Sequence, residues 1–227
     1  MPKIRILPNG PYEVSEDVPL ANAKIVTDAE GTSEKWAFGK EYPSQQTPYH
    51  LCRCGHSSKR PFCDGTHKAI KFQGRETAPH GRDEANTKIY EGAEIDLMDE
   101  ESLCAQMRFC DRGPRVWDAA IESDKPGYKK LAIEECGCCA AGRLTPITKD
   151  GQPIEPEFDP GVSPITDTYR GSRGPLWVRG GVEMEGADGQ QYMTRNRMTL
   201  CRCGESQNMP FCDISHLSCP HMKGSDD

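Results

Sequence analysis

The sequence predicts an α+β protein in which two small β-rich units, one at each end, flank a different unit with helical character. Three observations lead there. A cysteine–histidine motif occurs near both ends of the chain, a strand-like stretch precedes each copy, and helical spacing of apolar residues appears in the middle.

The first copy of the motif is CRCGHSSKRPFCDGTH, from Cys52 to His67, and the second is CRCGESQNMPFCDISH, from Cys201 to His216. Each follows a C-x-C-x8-C-x3-H pattern, so Cys52, Cys54, Cys63 and His67 recur as Cys201, Cys203, Cys212 and His216. The likeness reaches further back. GPYEVSEDVPL (Gly10 to Leu20) matches GPLWVRGGVEM (Gly174 to Met184) at Gly, Pro and both Val positions, with Leu20 against Met184. Both stretches alternate enough to read as strands, and each is followed by a second extended run, HLCRC or RMTLCRC, that delivers the first ligands. The strand-like stretches lie 164 residues apart and the cysteine motifs 149, which gives the first copy fifteen extra residues, placed within IVTDAEGTSEKWAFGKEYPSQQ. The units are therefore residues 1–74, 75–173 and 174–227.

The middle unit reads differently. EGAEIDLMD predicts a strand. DEESLCAQMRFCDRG predicts the start of a helix, with acidic residues where the helix dipole favours them. VWDAAIES and PGYKKLAIEEC have helical spacing, with Pro126 suited to the first turn of the second. The Pro/Gly/Asp-rich stretch from Thr145 to Gly174 reads as an irregular surface linker. No phosphate-binding glycine loop and no nucleophile elbow occurs, so no catalytic residue is assigned.

Composition narrows the function classes. With 35% hydrophobic residues, 22 Gly and 18 Pro in 227 residues, the core is small and calls for a staple such as a metal. A net charge of −7 argues against a nucleic-acid partner. The absence of an apolar run of membrane length argues against a membrane partner. The start MPKIRILPNG lacks the apolar stretch of a signal peptide, so the expectation is a soluble, cytoplasmic protein whose twelve cysteines serve as ligands rather than disulfides. Spacing alone leaves two metals open. Cys3His is an accepted structural zinc set, although the usual zinc knuckle is C-x2–4-C. C-x-C also points its two side chains to opposite faces of a regular strand, so a turn at Gly55 and Gly204 is needed to bring both to one centre.

The motif C-x-C-G-x-S-x3-P-F-C-D-G-T-H resembles the CDGSH iron–sulfur domain family. Both copies keep the four ligands and the Pro-Phe-Cys-Asp block, at Pro61–Asp64 and Pro210–Asp213. The resemblance implies that each copy binds one [2Fe–2S] cluster through Cys52, Cys54, Cys63 and His67, or through Cys201, Cys203, Cys212 and His216. It also implies that the two units form an intramolecular pseudo-dimer, a monomer with internal two-fold pseudosymmetry, because family members pair two protomers. The second copy departs at Ile214, which stands where the first has Gly65. A β-branched residue tolerates positive φ poorly, so that turn is either right-handed or strained. Asp64 and Asp213 read as helix caps in preference to supports of the ligands.

Cys104, Cys110, Cys136, Cys138 and Cys139 resemble a degenerate ferredoxin, similar to divergent single-cluster [4Fe–4S] domains. A C-x2-C-x2-C run would place a ligand at Met107, and the Pro expected after the last Cys is Ala140. The expectation is a ferredoxin-like α+β insertion that folds around buried thiols without metal, with a third iron–sulfur cluster as the alternative. His50, His56, His80 and His221 read as exposed, and Cys219 as a spare thiol. The function implied is electron transfer or cluster delivery, with an unidentified redox or cluster-acceptor protein as partner. A structural zinc protein and an electron-feeding subunit of an oxidoreductase are the rivals.

Overall fold

The computed structural model describes residues 2–15, 18–43 and 48–226. The N-terminal end supplies β1 (Lys3–Ile6), β2 (Tyr12–Val14), β3 (Ala21–Thr27), β4 (Ser33–Glu41), β5 (Tyr49–Leu51) and the one-turn helix α1 (Thr66–Ala69). The middle supplies β6 (Thr87–Tyr90), β7 (Ile95–Glu100), α2 (Val116–Ile121), α3 (Tyr128–Gly137) and β8 (Leu144–Thr148). The rest forms β9 (Gly161–Asp167), β10 (Ser172–Arg179), β11 (Glu183–Glu185) and β12 (Arg197–Leu200). The described residues are thus mixed α and β, with three sheets and few helices.

Two sheets draw strands from both ends of the chain. One runs β11-β1-β2-β5 and the other β12-β10-β9-β3-β4. Their registers correspond. Tyr12 stands opposite Leu51 and Val14 opposite Tyr49; at the repeat-related positions, Leu176 stands opposite Leu200 and Val178 opposite Met198. Ile4 pairs with Val14, and Val162 pairs with Val178. The outer strands then cross between the ends: Met184 lies parallel to Ile4, and Leu20, its counterpart in the repeat, lies parallel to Val162. Tyr12, Val14, Leu51, Val162, Trp177, Val178 and Leu200 all fall in one buried cluster, so the sheets share a core. Each fully buried side chain of this size contributes about 1.5–3 kcal/mol of burial, which neither short end segment could assemble alone.

The fifteen extra residues of the first unit form most of the β3–β4 hairpin. Its turn is built by Asp28, whose carboxylate accepts from the N–H groups of Glu30 (3.1 Å) and Thr32 (2.7 Å). The end of the predicted insertion, from 44 onward, and positions 16 and 17 of the first strand-like stretch lie outside the described residues.

The middle unit is an antiparallel sheet β6-β7-β8 carrying α2 and α3, closed by Ile95, Leu97, Val116, Ala119, Ala132, Cys136 and Leu144. The strand predicted at EGAEIDLMD and the two predicted helices are present. Two expectations fail. DEESLCAQMRFCDRG does not form a helix: it makes 3-10 turns at Glu101–Leu103 and Phe109–Asp111, joined by a loop in which Gln106 (φ 53°) and Arg108 (φ 63°) are left-handed. The stretch from Thr145 to Gly174 is not a linker, because it contains most of β8, all of β9 and the start of β10. Every residue of β9 is buried between β10 and β3. Pro164 is tolerated in this central strand because the ladder to β10 shifts register between Arg173 and Leu176, next to the proline. Pro126 precedes α3, whose N-cap is Gly127. No helix is long and apolar enough to cross a membrane among the described residues.

Candidate metal centre

Each motif is built on the end of a strand. Cys52 directly follows β5 and Cys201 directly follows β12, and the N–H of each donates to the carbonyl of Pro61 or Pro210 at 2.8 Å. The peptide bonds preceding these two prolines are both cis. The chain then returns, and the N–H groups of Cys63 and Cys212 donate to His50 O and Thr199 O at 2.9 Å. The intervening loops are braced by Ser57 and Ser206, whose hydroxyls donate to Phe62 O (2.6 Å) and Phe211 O (2.7 Å). The turn that C-x-C requires is made where expected, at Gly55 (φ 77°) and Gly204 (φ 85°).

The structure brings together all eight predicted ligands, as two pairs in each motif. Cys52 Sγ and Cys54 Sγ are 3.8 Å apart, and Cys201 Sγ and Cys203 Sγ are 3.5 Å apart. Cys63 Sγ lies 3.3 Å from His67 Nδ1, and Cys212 Sγ lies 3.3 Å from His216 Nδ1. Two thiolates bound tetrahedrally to one metal at about 2.3 Å would stand about 3.8 Å apart, so each pair has the spacing of two donors on one metal atom. Among the described residues, no three His, Cys, Asp or Glu side chains gather as the shell of a single ion. Each pair could hold one metal atom. All twelve cysteines are free thiols.

The electrostatics favour thiolates at the first ligand of each motif. A hydrogen bond from Cys54 draws Cys52 down to about 6, and one from Cys203 draws Cys201 down to about 7, while their partners are raised. The middle residue of each C-R-C carries a buried cation. Arg53 donates to Leu7 O (3.3 Å) and to Gly74 O, and Arg202 donates to Gly174 O (2.6 Å) and Ile165 O (2.9 Å). Both arginines are at most 3% exposed. The repetition of C-R-C in both motifs is their signal in the sequence.

Asp64 and Asp213 do not occupy the cap position. That position is Gly65 in one motif and Ile214 in the other. One oxygen of each aspartate accepts from the first N–H of the following turn, Thr66 or Ser215, at 3.0 Å. The second oxygen accepts from the N–H of Ser58 (2.8 Å) or Gln207 (2.7 Å), which ties the ligand turn to the preceding loop. Hydrogen bonds from Thr66 and Ser58 hold the Asp64 carboxyl below the usual range. Ile214 has φ 74° against 89° at Gly65, so the turn is left-handed in both copies and strained in the second.

The two sites differ in exposure. Cys63 and His67 are half-buried, whereas Cys212 and His216 are each 3% exposed. Burial lowers both histidines, with Lys68 adding to the effect at His67; His216 is drawn down to about 4 by burial, Arg202 and Arg170. The C-terminal tail covers the second site. Asp226 accepts from Arg173 Nε (3.0 Å) and from Arg202. Of the remaining histidines, His56 is exposed as expected, but its ring packs against that of His221, tilted by 33° with centroids 4.3 Å apart. His50, His80 and His221 are partly buried, and Cys219 is buried.

The family model of the iron-binding zinc finger of CDGSH type matches residues 9–68 and again 173–217. No curated protein and no solved structure was found to match the chain.

Proposed function

We propose, from the match of both end units to the model of the iron-binding CDGSH type, an iron–sulfur protein with one [2Fe–2S] cluster at each motif. Its work is electron transfer or cluster delivery to a protein partner. The observation that carries this reading is the arrangement of donors as two metal-spaced pairs in each motif, one of two sulfurs and one of sulfur and imidazole nitrogen. When bound, such a cluster supplies one-electron exchange, at a potential raised by replacing one thiolate with neutral imidazole. The residues around it supply the rest. Arg53 and Arg202 place a fixed positive charge in each ligand loop, and the N–H of Gly65 points at Cys63 Sγ (3.4 Å). Nδ1 faces the sulfur in both motifs, which leaves Nε2 of each histidine to carry a proton.

We further read the two end units as an internal pseudo-dimer. The reciprocal pairings Met184 with Ile4 and Leu20 with Val162 support it, because repeat-related strands exchange places. Tyr12, from the first unit, donates to the carbonyl of Cys201 in the second (2.7 Å). The sheet-and-helix unit between them is the ferredoxin-like insertion. The half-buried first motif is the side at which a partner is met, and the second is insulated by the tail.

Iron and acid-labile sulfide analysis with visible spectroscopy tests the assignment. Cys63→Ser is expected to remove the absorbance of one centre, Cys212→Ser that of the other, and reduction to bleach both. Stoichiometric zinc without labile sulfide would overturn it.

A further inference from the structure

The two motifs align position by position, so each is a reference for the charges around the other. Lys59, Arg60, Lys68 and Lys71 of the first correspond to Asn208, Met209, Leu217 and Pro220 of the second. Four cations are replaced by four uncharged residues, and His56 by Glu205. The middle arginine of C-R-C is kept, as Arg53 and Arg202. A buried positive charge beside the ligands is common to both sites, whereas the outer four cations belong to the first alone.

The four flank the first ligand set. Lys59 and Arg60 lie in the loop before Cys63, and Lys68 and Lys71 lie within and just after α1, beyond His67. Asp64 fastens that loop to that turn, accepting from the N–H groups of Ser58 (2.8 Å) and Thr66 (3.0 Å). The N–H of Lys71 donates to Lys68 O at 3.2 Å and closes the turn. Lys59, Lys68 and Lys71 are exposed, and none of the four cations forms an ion pair among the described residues. Ile70, which sits in the same turn, is 43% exposed.

At the second motif the counterparts are covered by the chain itself. Asn208 Nδ2 donates to Ser102 O (2.9 Å). Met209 is buried, and its carbonyl accepts from the N–H groups of Thr77 (2.8 Å) and Ala78 (2.9 Å). Cys219, the counterpart of Ile70, is buried too. The first site alone therefore presents unpaired cations around an apolar side chain. The chain as a whole carries −7, so the surface beyond this face is more acidic still. That limits the anion that fits. A nucleic acid or a membrane plane would run past the face into like charge, whereas a compact acidic patch on a folded protein would not.

We propose that this face docks an acidic surface patch of a protein partner, through Lys59, Arg60, Lys68 and Lys71 around Ile70. The proposal rests on the reading of the first motif as the side at which a partner is met, and it adds the charge of that partner.

A labelled hexaglutamate peptide, titrated with the full-length protein, is the probe for such a patch. It should bind at low ionic strength and weaken steeply towards about 0.15 M salt, where charges beyond about 8 Å are screened. Lys59→Glu/Lys68→Glu/Lys71→Glu should weaken it on the order of tenfold or more. Lys125→Glu/Lys129→Glu/Lys130→Glu makes the same change of charge on exposed lysines around the start of α3 and should weaken it far less. A second measurement follows oxidation of the reduced first centre in the Cys212→Ser background. The Lys59/Lys68/Lys71 variant should react more slowly with ferricyanide and faster with hexaammineruthenium(III), opposite shifts that a misfolded protein would not give. Iron and labile sulfide in the same samples report whether that centre is present, while the peptide titration reports on the face whatever metal the motif holds. No binding of hexaglutamate at low salt, equal weakening by the two lysine variants, or tighter binding of duplex DNA or phosphatidylserine vesicles than of the peptide would overturn the proposal.

Discussion

Gly55 and Gly204 each face the other's motif at a distance that leaves no room for a side chain. A Cβ on Gly55 would fall 2.6 Å from the carbonyl oxygen of Cys203, and one on Gly204 would fall 2.8 Å from that of Cys54. Both glycines are also left-handed, so each serves its own turn and the contact between turns at once. Gly55→Ala or Gly204→Ala therefore meets backbone as well as strain. Each is expected to cost about 2 kcal/mol or more and to weaken the motif across the contact as well as its own. Thermal unfolding together with metal content of the Cys63→Ser and Cys212→Ser backgrounds separates the two effects. A Gly55→Ala protein whose second motif is untouched would show that the turns are independent.

Gly65 offers the cleaner measure of backbone strain. A Cβ there has nothing within 4 Å, although φ is 89°. Gly65→Ala should thus cost about 1–2 kcal/mol from the left-handed conformation alone, read as a lower unfolding midpoint without loss of iron. An Ala variant as stable as the wild type would mean that the turn relaxes, and that Ile214 in the second motif carries no comparable strain.

The ligand sets were legible in the sequence because their spacing is local and repeated. Cys52 to His67 spans a single turn-and-return, so all four positions could be named without knowing the fold. What was not legible depended on tertiary partners. β9 reads as linker because Pro164 and its glycine and aspartate neighbours lack strand propensity, and burial between β10 and β3 decides the matter instead. Leu103 and Met107 have helical spacing, yet their loop is shaped by the pull of Ser33 and Asp167 from a neighbouring sheet. The roles of Arg53 and Arg202 emerge only once their acceptors, Leu7, Gly74, Gly174 and Ile165, are brought near by the strands.

The tail makes a prediction specific to the second motif. Asp226 is bonded by both Arg173 and Arg202, and the side chains of Arg202 and Asp226 are at most 2% exposed. Removing one partner of such a buried pair costs about 3–5 kcal/mol, because the other charge is left uncompensated. Asp226→Ala should accordingly destabilise the second motif and release its metal faster, leaving the first unaffected. Comparing chelator-driven bleaching in the Cys63→Ser and Cys212→Ser backgrounds checks this, and equal acceleration at both motifs would contradict it.

Acid should discriminate the two sites. A histidine bound to metal must be neutral, so proton competition begins at imidazole. Burial pulls His216 down to about 4, while half-buried His67 is also lowered but stays nearer to solvent. For His216 the unfolded chain takes up its proton near 6.5, and the native chain resists it until about 4. The unfolded state then holds more protons across that window, so stability falls as pH drops from about 6.5 to about 4, by up to about 3 kcal/mol, and levels off below. Within the native protein exposure sets the order at the sites: the first motif, open to water at His67, should lose its absorbance at higher pH than the second. Cys212→Ser, which retains the first centre, and Cys63→Ser, which retains the second, allow each decay to be followed alone from neutral to mildly acid pH. His67→Cys and His216→Cys should each slow acid loss at its own motif by substituting a thiolate for the titrating ligand. A second motif that bleaches first, or decay unchanged by either histidine substitution, would place the labile bond at a ligand other than histidine.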